Sequence, residues 1–281
     1  MPTGLYLVST PLGNSRDITL RALDVLRSVS VIAAEDTRST RKLLGIHDIP
    51  LKGRRLLSYG EHNARRQRHR ILELLDRGTD VALVSEAGTP LISDPGHRLV
   101  SAAIEAGHSC HPIPGPSAVT AAVSVSGLAS DRFLFAGFLP AKAGQRKTAL
   151  ADLASIPNTL VFFEAPHRLK ATLDDIGEAL GNHRRAAICR ELTKFHESIM
   201  RGTVAELAAG LGDRLLGECT IVVEGAHPPA SDPIAIERHL TEAMARLSLR
   251  DAVSEVAAVH GASRVEIYGK ALAIRRRTGE P

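Results

Sequence analysis

Aromatic side chains are scarce in this chain of 281 residues: they account for 3% of it, and tryptophan is absent. Proteins that bind single-stranded nucleic acid by stacking rely on aromatic residues, so a stacking platform is excluded. The only cysteines, Cys110, Cys189 and Cys219, are scattered and form no C-x-x-C pair. This usage is typical of a reducing compartment, and we expect a cytoplasmic protein without disulfides.

Several common signatures are also missing. No run of about 18 apolar residues is present, so no membrane span is expected, and Met1–Ser9 lacks the basic region of a signal peptide. Neither the G-x-G-x-x-G fingerprint of dinucleotide-binding folds nor the G-x-x-x-x-G-K-[ST] phosphate loop occurs. His108, Cys110 and His111 match no common zinc spacing, so we expect no metal site.

The composition that is present indicates a folded α/β protein. Apolar residues make up 44% of the chain, which is ample for packed cores, and the length suggests two domains with a small appendage. The formal charge of +4 is a modest basic excess. It is compatible with an acidic partner such as RNA but does not require one.

The central feature is the stretch from Val81 to Gly96. A buried strand, Val81–Val84, leads into a loop of small, Gly and Pro residues, Ser85–Ser93, that is longer than most βα connections. We predict that Asp94 caps the next helix with Pro95 in its first position, and that Leu99, Val100, Ala103 and Ile104 share one face of this helix. Because open parallel sheets bind ligands at the carboxyl ends of their strands, this loop is a candidate binding site.

The order of strand, loop and helix recurs along the first half. We predict strands at Gly4–Val8, Val31–Ala34, Leu56–Tyr59, Val81–Val84 and His108–Ile113, which form one open αβα domain over residues 1–116. Two further loops follow strand ends, Ser9–Asn14 and Pro114–Ala118, with Ser117 capping a helix.

The second half repeats the alternation and then changes character. Predicted strands at Phe133–Gly137, Asn158–Phe163, Arg184–Arg190 and Gly217–Glu224 form a second αβα domain over residues 117–226. A Pro-rich linker, 227–233, precedes a helical domain, 234–281. Its pattern of helix, Gly turn and helix fits either a helix-turn-helix that contacts nucleic acid or a plain helical hairpin.

Polar residues collect where strands end. Glu35-Asp36-Thr37-Arg38 is either catalytic or a helix cap with an ion pair. Glu191 and Lys194 follow another strand and have the same two readings. The predicted helix Ala64–Arg77 carries a run of arginines on its outer face, which is either a solvated face or a phosphate-binding surface. The candidate RNA-binding residues are Arg38, Arg41, Arg65, Arg66, Arg68, Arg70 and Arg168.

Seven motifs in this order resemble the ribosomal RNA small-subunit methyltransferase I family, a branch of the tetrapyrrole methylases. They are Ser9-Thr-Pro-Leu-Gly-Asn14, Ala34-Glu-Asp-Thr-Arg38, Ser85-Glu-Ala-Gly-Thr-Pro-Leu-Ile-Ser-Asp-Pro-Gly96, Pro112-Ile-Pro-Gly-Pro-Ser117, Gly137-Phe-Leu-Pro140, Glu164-Ala-Pro-His-Arg168 and Arg190-Glu-Leu-Thr-Lys194. The resemblance covers Gly4–Gly225 and extends into the helical tail. One position departs from the family, which usually has Asp where this chain has Glu86.

The resemblance implies a class III methyltransferase, a homodimer without membrane contact that binds S-adenosylmethionine between its two αβα domains. It implies 2′-O-methylation of a cytidine in the decoding centre of 16S rRNA, on the assembled small ribosomal subunit. The implied cofactor site comprises Pro11, Leu12, Gly13, Ser85, Glu86, Ala87, Gly88, Thr89, Pro90, Gly115, Ser117, Ala118 and Phe163.

The chemistry suggests catalytic candidates. A sulfonium methyl is already activated, so alignment supplies much of the rate, and a base or a cation assists the weakly nucleophilic ribose hydroxyl. Lys194 could stabilise the developing alkoxide, and Glu191 or Glu35 could accept the proton. Two other functions remain open: a methylase of small tetrapyrroles, and a non-catalytic RNA-binding or ribosome-assembly protein.

Overall fold

The computed structural model describes residues 2–212, 217–226 and 233–278. Their contacts separate into two compact units, Met1–Ala154 with Asn158–Glu224, and Ser155–Pro157 with Gly225–Pro281. Of the predicted linker, residues 227–232 lie outside the described ranges, and Pro233 is the first residue of a helix.

A five-stranded parallel sheet organises the first half of the larger unit. Its strands follow the order β3-β2-β4-β1-β5. They are β1 (Leu5–Val8), β2 (Val31–Ala34), β3 (Arg55–Ser58), β4 (Val81–Val84) and β5 (Cys110–Ile113), and the helices are α1 (Leu20–Ser28), α2 (Thr37–Ile46), α3 (Ala64–Asp76) and α4 (His97–Glu105). We call this part the first lobe. The predicted open αβα arrangement is confirmed.

Helices cover both faces of this sheet, which explains its apolar strands. Alternate residues of a strand point to opposite faces. In β4, Ala82 and Val84 therefore join the core beneath α1, whereas Val81 and Leu83 join the core beneath α3 and α4. A strand buried on both faces has no polar positions, so it appears in the sequence as an unbroken apolar run.

A second five-stranded sheet, of order β6-β7-β10-β8-β9, organises the rest of the larger unit, which we call the second lobe. Strands β6 and β7 are parallel, and β10 runs antiparallel to β7 and β8, as β9 does to β8. The strands are β6 (Phe133–Phe138), β7 (Thr159–Glu164), β8 (Arg185–Arg190), β9 (Ser198–Thr203) and β10 (Cys219–Val223). The helices are α5 (Ala118–Ser126), α6 (Ala143–Leu153), α7 (Leu169–Ile176) and α8 (Val204–Gly210). A 3₁₀ turn, Pro166–Arg168, and a π-helical turn, Gly177–Gly181, flank α7. The carboxyl ends of β7 and β8 thus lie beside the amino end of β10.

Helix α5 packs on the second sheet although it follows directly from the first. Val119 and Val123 join the core formed by Val161, Ala187 and Val222. This packing supports a domain boundary at residues 116/117, which stays a proposal.

Two elements of the second lobe were missed by the sequence prediction. Strand β9 lies at the sheet edge with mostly half-buried side chains, so it lacks the apolar run of a buried strand. Helix α8 begins with a capping box, in which Glu206 N donates to Thr203 Oγ1 at 3.2 Å and Thr203 N donates to Glu206 Oε2 at 2.8 Å. That T-x-x-E pattern was a usable signal for the helix.

The prediction that Asp94 caps α4, with Pro95 in its first position, is wrong. The helix begins at His97, and its N-cap is Gly96, whose φ of +143° is open to glycine but rarely to other residues. The chain therefore turns once more after Pro95, and this turn frees the Asp94 side chain for other contacts. Of the residues predicted to share one face of this helix, Leu99 and Ala103 are buried and Ile104 is exposed.

The described residues of the smaller unit form three helices, α9 (Pro233–Met244), α10 (Leu249–His260) and α11 (Arg264–Thr278). Leu240, Val256 and Ile267 are fully buried in a shared apolar core. Gly261 ends α10 in the left-handed region, φ +61°, so the predicted order of helix, Gly turn and helix is confirmed. Across the ranges the structure describes, no helix is both long and apolar enough to cross a bilayer.

Candidate active site

The loops after β1 and β4 are joined at the carboxyl edge of the first sheet. Thr10 N donates to Gly88 O at 2.9 Å, and Gly88 N donates to Thr10 O at 3.0 Å. The Ser85 hydroxyl donates to Gly88 O at 2.7 Å, and the Thr10 hydroxyl donates to Ser85 O at 3.2 Å. These bonds make one platform from two loops that are 75 residues apart in the chain.

The loop after β5 completes this platform. Thr89 Oγ1 donates to Pro116 O at 3.0 Å, and Gly115 lies against the side chain of Ser9. Leu91 and Ser93, farther along the β4–α4 loop, have positive φ values of 73° and 63°. Such non-glycine conformations are costly and concentrate at functional sites.

A cleft lies between this platform and the second lobe, and it contains a chamber of about 350 Å³ that we call the acidic chamber. Ligand sites commonly begin at about this size. Its carboxyl groups are those of Glu35, Glu86, Asp94, Glu164 and Glu218. Its apolar walls are Leu12, Ile92, Phe138, Phe163 and Pro166, and its smaller residues are Ala87, Ser93, Ala118, Ala165, Gly217, Cys219 and Thr220.

A second chamber of about 340 Å³, which we call the lysine chamber, lies between the first platform loops and helix α2. It shares Leu12, Glu86, Ala87 and Glu218 with the acidic chamber, so these four residues form a common wall. Its other lining residues are Thr10, Pro11, Gly13, Ser15, Ser39, Thr40, Lys42, Leu43, Ile46, Ser85 and Lys194.

Two carboxyl groups in the acidic chamber lie close enough to share a proton. Asp94 Oδ2 and Glu35 Oε2 are buried and receive no hydrogen bond from another group in the described part of the chain, so a hydrogen bond between the two carboxyl groups requires a shared proton. Burial raises the pKa of Asp94 to about 7, and the charge and hydrogen bond of Glu35 and the charge of Glu86 add to the shift. The pKa of Glu86 is also raised, first by loss of solvent and then by the charges of Asp36, Glu35 and Glu218. The chamber therefore favours positive charge or a bound proton.

Lys194 lines the lysine chamber and links the two lobes. Its Nζ lies 2.9 Å from Glu191 Oε1 and 3.1 Å from Glu218 Oε2. Its stem lies against Gly13, where a Cβ would be 2.2 Å from Lys194 Cγ. Asn14 N also donates to Thr193 Oγ1 at 3.1 Å. A side chain at position 13 would displace this contact, which accounts for the glycine.

The ion pair determines the protonation states of Lys194 and Glu191. Burial lowers the pKa of Lys194, but hydrogen bonds from its ammonium to Glu191 and Glu218 raise it more, so the net shift is upward. Burial raises the pKa of Glu191, yet the hydrogen bonds from Lys194 and the Glu218 amide outweigh it, so the net shift is downward. At neutral pH both side chains are charged, and Glu191 is a weak proton acceptor.

The structure brings most of the predicted cofactor residues together. The predicted residues that line a chamber are Pro11, Leu12, Gly13, Ser85, Glu86, Ala87, Ala118 and Phe163. Gly88, Thr89, Pro90, Gly115 and Ser117 line neither chamber and belong to the supporting loops. Ser117 occupies the N-cap position of α5, but its side chain makes no capping hydrogen bond.

Sequence reasoning missed several lining residues. Asp94 was read as a helix cap, although its position in the loop after β4 already indicated the cleft. Phe138 stands at the end of β6, which is the same positional signal. Glu218 had no such signal, because only the antiparallel direction of β10 brings its amino end to this edge.

Basic residues lie at the same edge of the first sheet, where α2 and α3 begin. A concave surface of about 590 Å³ is lined by His62, Asn63, Arg65 and Arg66. We call Arg65, Arg66, Arg68 and Arg70 the arginine surface. No described carboxylate forms an ion pair with these four guanidinium groups, so their charge is available to a ligand.

Three other predicted basic or polar residues have definite places. Arg38 and Arg41 are exposed on α2, and Arg38 pairs with Asp36 at 3.3 Å. Asp36 is the N-cap of that helix, as one of the two readings held. Arg168 donates to Leu139 O at 2.7 Å and lies 3.3 Å from Glu164 Oε1. Its guanidinium is committed to the fold, and the arginine surface does not include it.

No metal centre is evident in the described ranges, where His, Cys, Asp and Glu side chains form no group of three or more that could hold an ion. His108 instead contacts Asp76, with Nε2 2.9 Å from Oδ1, and the His111 ring stacks on Tyr6.

Comparison with known proteins identifies this architecture. A family model described as Tetrapyrrole (Corrin/Porphyrin) Methylases matches residues 4–208, and one described as RsmI C-terminal HTH domain matches residues 230–275. Among solved structures, uroporphyrin-III-C-methyltransferase from Thermus thermophilus has a TM-score of 0.54 at 21% identity, over 80% of this chain and 93% of that one. Diphthine synthase has a TM-score of 0.59 at 15% identity, over 78% and 89%. These two structures share the fold.

Curated relatives are far closer in sequence. Ribosomal RNA small subunit methyltransferase I of Mesorhizobium japonicum is 47% identical over 278 residues, which cover 98% of this chain and 94% of the relative. The protein of the same name from Mycobacterium tuberculosis is 46% identical, with 99% of this chain and 97% of the relative covered.

The fold and its cleft thus define a methyltransferase of the tetrapyrrole methylase class, for which S-adenosylmethionine is the methyl donor. Within that class, the chain belongs to the ribosomal RNA small subunit methyltransferase I family. The resemblance drawn from the seven motifs is confirmed.

Proposed function

We propose that this chain transfers a methyl group from S-adenosylmethionine to the ribose 2′-hydroxyl of a cytidine in the decoding centre of 16S rRNA, within the assembled small ribosomal subunit. The observation that carries the proposal is the cleft itself, where three loops from one sheet face the ends of β7 and β10. Relatives that cover nearly the whole chain are named for methylation of small-subunit rRNA.

The acidic chamber fits the methyl donor. S-adenosylmethionine carries a positive sulfonium and an α-ammonium group, and the carboxyl groups of Glu35, Glu86 and Asp94 offset positive charge. The rings of Phe138 and Phe163 offer apolar faces to an adenine and can attract a cation through their π electrons. When bound, the donor supplies a methyl group that is already activated for transfer to oxygen.

The arginine surface fits the phosphate backbone of the RNA. Unpaired guanidinium groups bind phosphates with two hydrogen bonds each, and this kind of contact positions a nucleic acid without reading its sequence. The surface lies at the edge of the sheet that carries the cleft, so a bound RNA could reach both. Arg38 and Arg41, exposed on α2, extend the basic area toward the cleft.

The proposed catalytic roles follow from the charges described above. Lys194 stays positive and lines the lysine chamber beside Glu218 of the common wall, so it could stabilise negative charge on an attacked hydroxyl. Glu191 holds that ammonium in place and acts as a positioning residue. Glu35 faces Asp94, and together they form a buried acid pair beside the donor.

Two further parts of the proposal concern assembly and location. The substrate places the enzyme in the cytoplasm, where small subunits are found. We also propose a homodimer, which fits the exposed apolar side chains of Leu20, Phe133 and Phe195. Light scattering on the purified chain would distinguish a dimer from a monomer, and a monomer at working concentration would overturn this part.

Two measurements test the function. Titration calorimetry with S-adenosylmethionine should show binding with one site per chain. Labelled methyl transfer should then modify small subunits that lack the mark, with the label in a cytidine whose adjacent phosphodiester resists alkaline hydrolysis. Binding without transfer would favour a non-catalytic ribosome-assembly role, and transfer to a tetrapyrrole alone would favour a small-molecule methylase.

A further inference from the structure

The two chambers of the cleft differ in charge. The acidic chamber has Glu35 and Asp94 in its wall, and no described lining residue is lysine or arginine. The lysine chamber has Lys42 and Lys194, and its only lining carboxylates among the described residues are those of Glu86 and Glu218, which it shares with the acidic chamber. The Lys194 ammonium is offset by two carboxylates, but Lys42 is exposed and forms no ion pair with a described residue. A cationic donor and an anionic nucleotide would therefore prefer different chambers.

The lysine chamber also has the surfaces that a nucleoside needs. Pro11, Leu12, Leu43 and Ile46 give it an apolar side, and Ile46 is 50% exposed although it is a large apolar residue. Lys42 stands on the same helix as the exposed Arg38 and Arg41, so the mouth of the chamber continues into a basic surface. An apolar wall beside a cationic rim suits a base and ribose with their flanking phosphates.

Glu86 stands between the chambers. It lines both of them, whereas Glu35 and Asp94 line only the acidic chamber and Glu191 lines neither. Glu218 also lines both, but its carboxylate is bound to Lys194. Glu86 has no hydrogen bond or ion pair with a described side chain, so its carboxylate is free to act.

We propose that the lysine chamber receives the target nucleotide of the RNA and that Glu86 accepts the proton of the ribose hydroxyl that is methylated. This inference rests on the proposed function and names the substrate site within it. The common wall then separates donor from acceptor, with the reacting atoms meeting beside Leu12 and Ala87.

The methyl transfer exchanges one bond to carbon for another. The ribose oxygen forms a bond to the methyl carbon, and the bond between that carbon and sulfur breaks, so that sulfur keeps the electron pair as a neutral thioether. The O–H bond of the hydroxyl breaks, and its proton goes to the Glu86 carboxylate. No oxidant, reductant or additional reactant is needed.

The surroundings of Glu86 suit a proton acceptor. Its pKa is raised, which brings it closer to neutral pH and makes the carboxylate a stronger base. The charged groups that face it are Glu35 and Asp36 after β2, Arg38 on α2, Asp94 in the β4–α4 loop and Glu218 before β10. Because only the ionised carboxylate accepts a proton, turnover should fall as the pH drops through this pKa.

The chamber is tested with charge reversals on helix α2. In Lys42→Glu and Ile46→Glu, a new carboxylate at the mouth should repel phosphate and raise the KM for small subunits by about tenfold or more, with an unchanged Kd for S-adenosylmethionine by calorimetry. Lys52→Glu is the matched control, because Lys52 is exposed in the loop before β3, at the opposite edge of the sheet. If all three variants have the same KM, the chamber does not bind the nucleotide.

The proton acceptor is tested at saturating donor and subunits. Glu86→Gln should lower kcat by about 10²-fold or more and remove the acidic limb of its pH profile, whereas Glu86→Asp should keep the limb and much of the rate. A wild-type kcat and pH profile in Glu86→Gln would overturn this role, and loss confined to Glu35→Gln would assign it to the acid pair instead. If the wild-type protein binds donor but methylates no small subunit, the proposed function itself has failed.

Discussion

The contact between Gly13 and Lys194 can be broken by one methyl group. In Gly13→Ala, the new Cβ would lie 2.2 Å from Lys194 Cγ. Carbon atoms prefer separations of about 3.5–4.0 Å, so the lysine stem must move by more than about 1 Å. Its ammonium then loses one or both of the carboxylates that lie at 2.9 and 3.1 Å.

The expected loss of stability follows from the two hydrogen bonds of the Lys194 ammonium. Hydrogen bonds to charged groups contribute about 1.5–3 kcal/mol each, and solvent reduces this here because the Glu218 side chain is 74% exposed. We expect a loss of about 1–2 kcal/mol in the free energy of unfolding, which corresponds to a Tm lower by about 2–8 °C. Because Lys194 lines the lysine chamber and pairs with Glu218 of the common wall, turnover should fall by roughly tenfold or more.

The assay combines thermal unfolding with methyl transfer to small subunits. Gly45→Ala is the matched control, because a Cβ there meets no atom within 4 Å and alanine favours the helix that contains it. In a Lys194→Ala background, Gly13→Ala should cost nothing further, since the obstructing stem is gone. The reasoning is refuted if Gly13→Ala matches the wild type in both Tm and turnover.

Three other outcomes are expected. Arg146 Nε lies 2.6 Å from Asp175 Oδ2, and both side chains are nearly buried. Asp175→Asn should therefore lower the free energy of unfolding by about 3–5 kcal/mol, measured by denaturant melts. A loss below about 1 kcal/mol would contradict a buried ion pair. Folding raises the pKa of Asp94 to about 7, so the contribution of this group to stability is full below about pH 4 and is lost as the pH rises through 7. Between about pH 5 and 8, the Tm of the wild type should therefore fall more than the Tm of Asp94→Asn. Parallel curves of Tm against pH would argue against the raised pKa. When two members of the arginine surface are replaced with glutamine, the affinity for small subunits should depend less steeply on salt. The slope of log affinity against log salt concentration should decrease by about one for each phosphate contact that is lost. An unchanged slope would show that this surface is not part of the RNA interface.

The sequence was sufficient for the local elements and for the family. The three central strands of the first sheet, β2, β4 and β1, are buried almost throughout, so each is an apolar run that ends in a loop. The predicted bounds of all five strands are close to the observed ones. Seven short motifs in order pointed to the methylase family, which the comparisons confirmed. Strand β9 was not predicted, because an edge strand in contact with solvent has no such apolar run.

The chemistry of the cleft depended on contacts between distant parts of the chain. The sequence predicted Asp94 as a helix cap. In the structure Gly96 is the cap, and the Asp94 carboxyl group faces Glu35. The sequence suggested Glu191 as a base, whereas in the structure hydrogen bonds from Lys194 and the amide of Glu218 lower its pKa. A pattern along the chain reports which residues follow a strand, because that is a local property. Proton affinity depends on the charges and solvent around a group, and these are set by which strand ends the two sheets bring together.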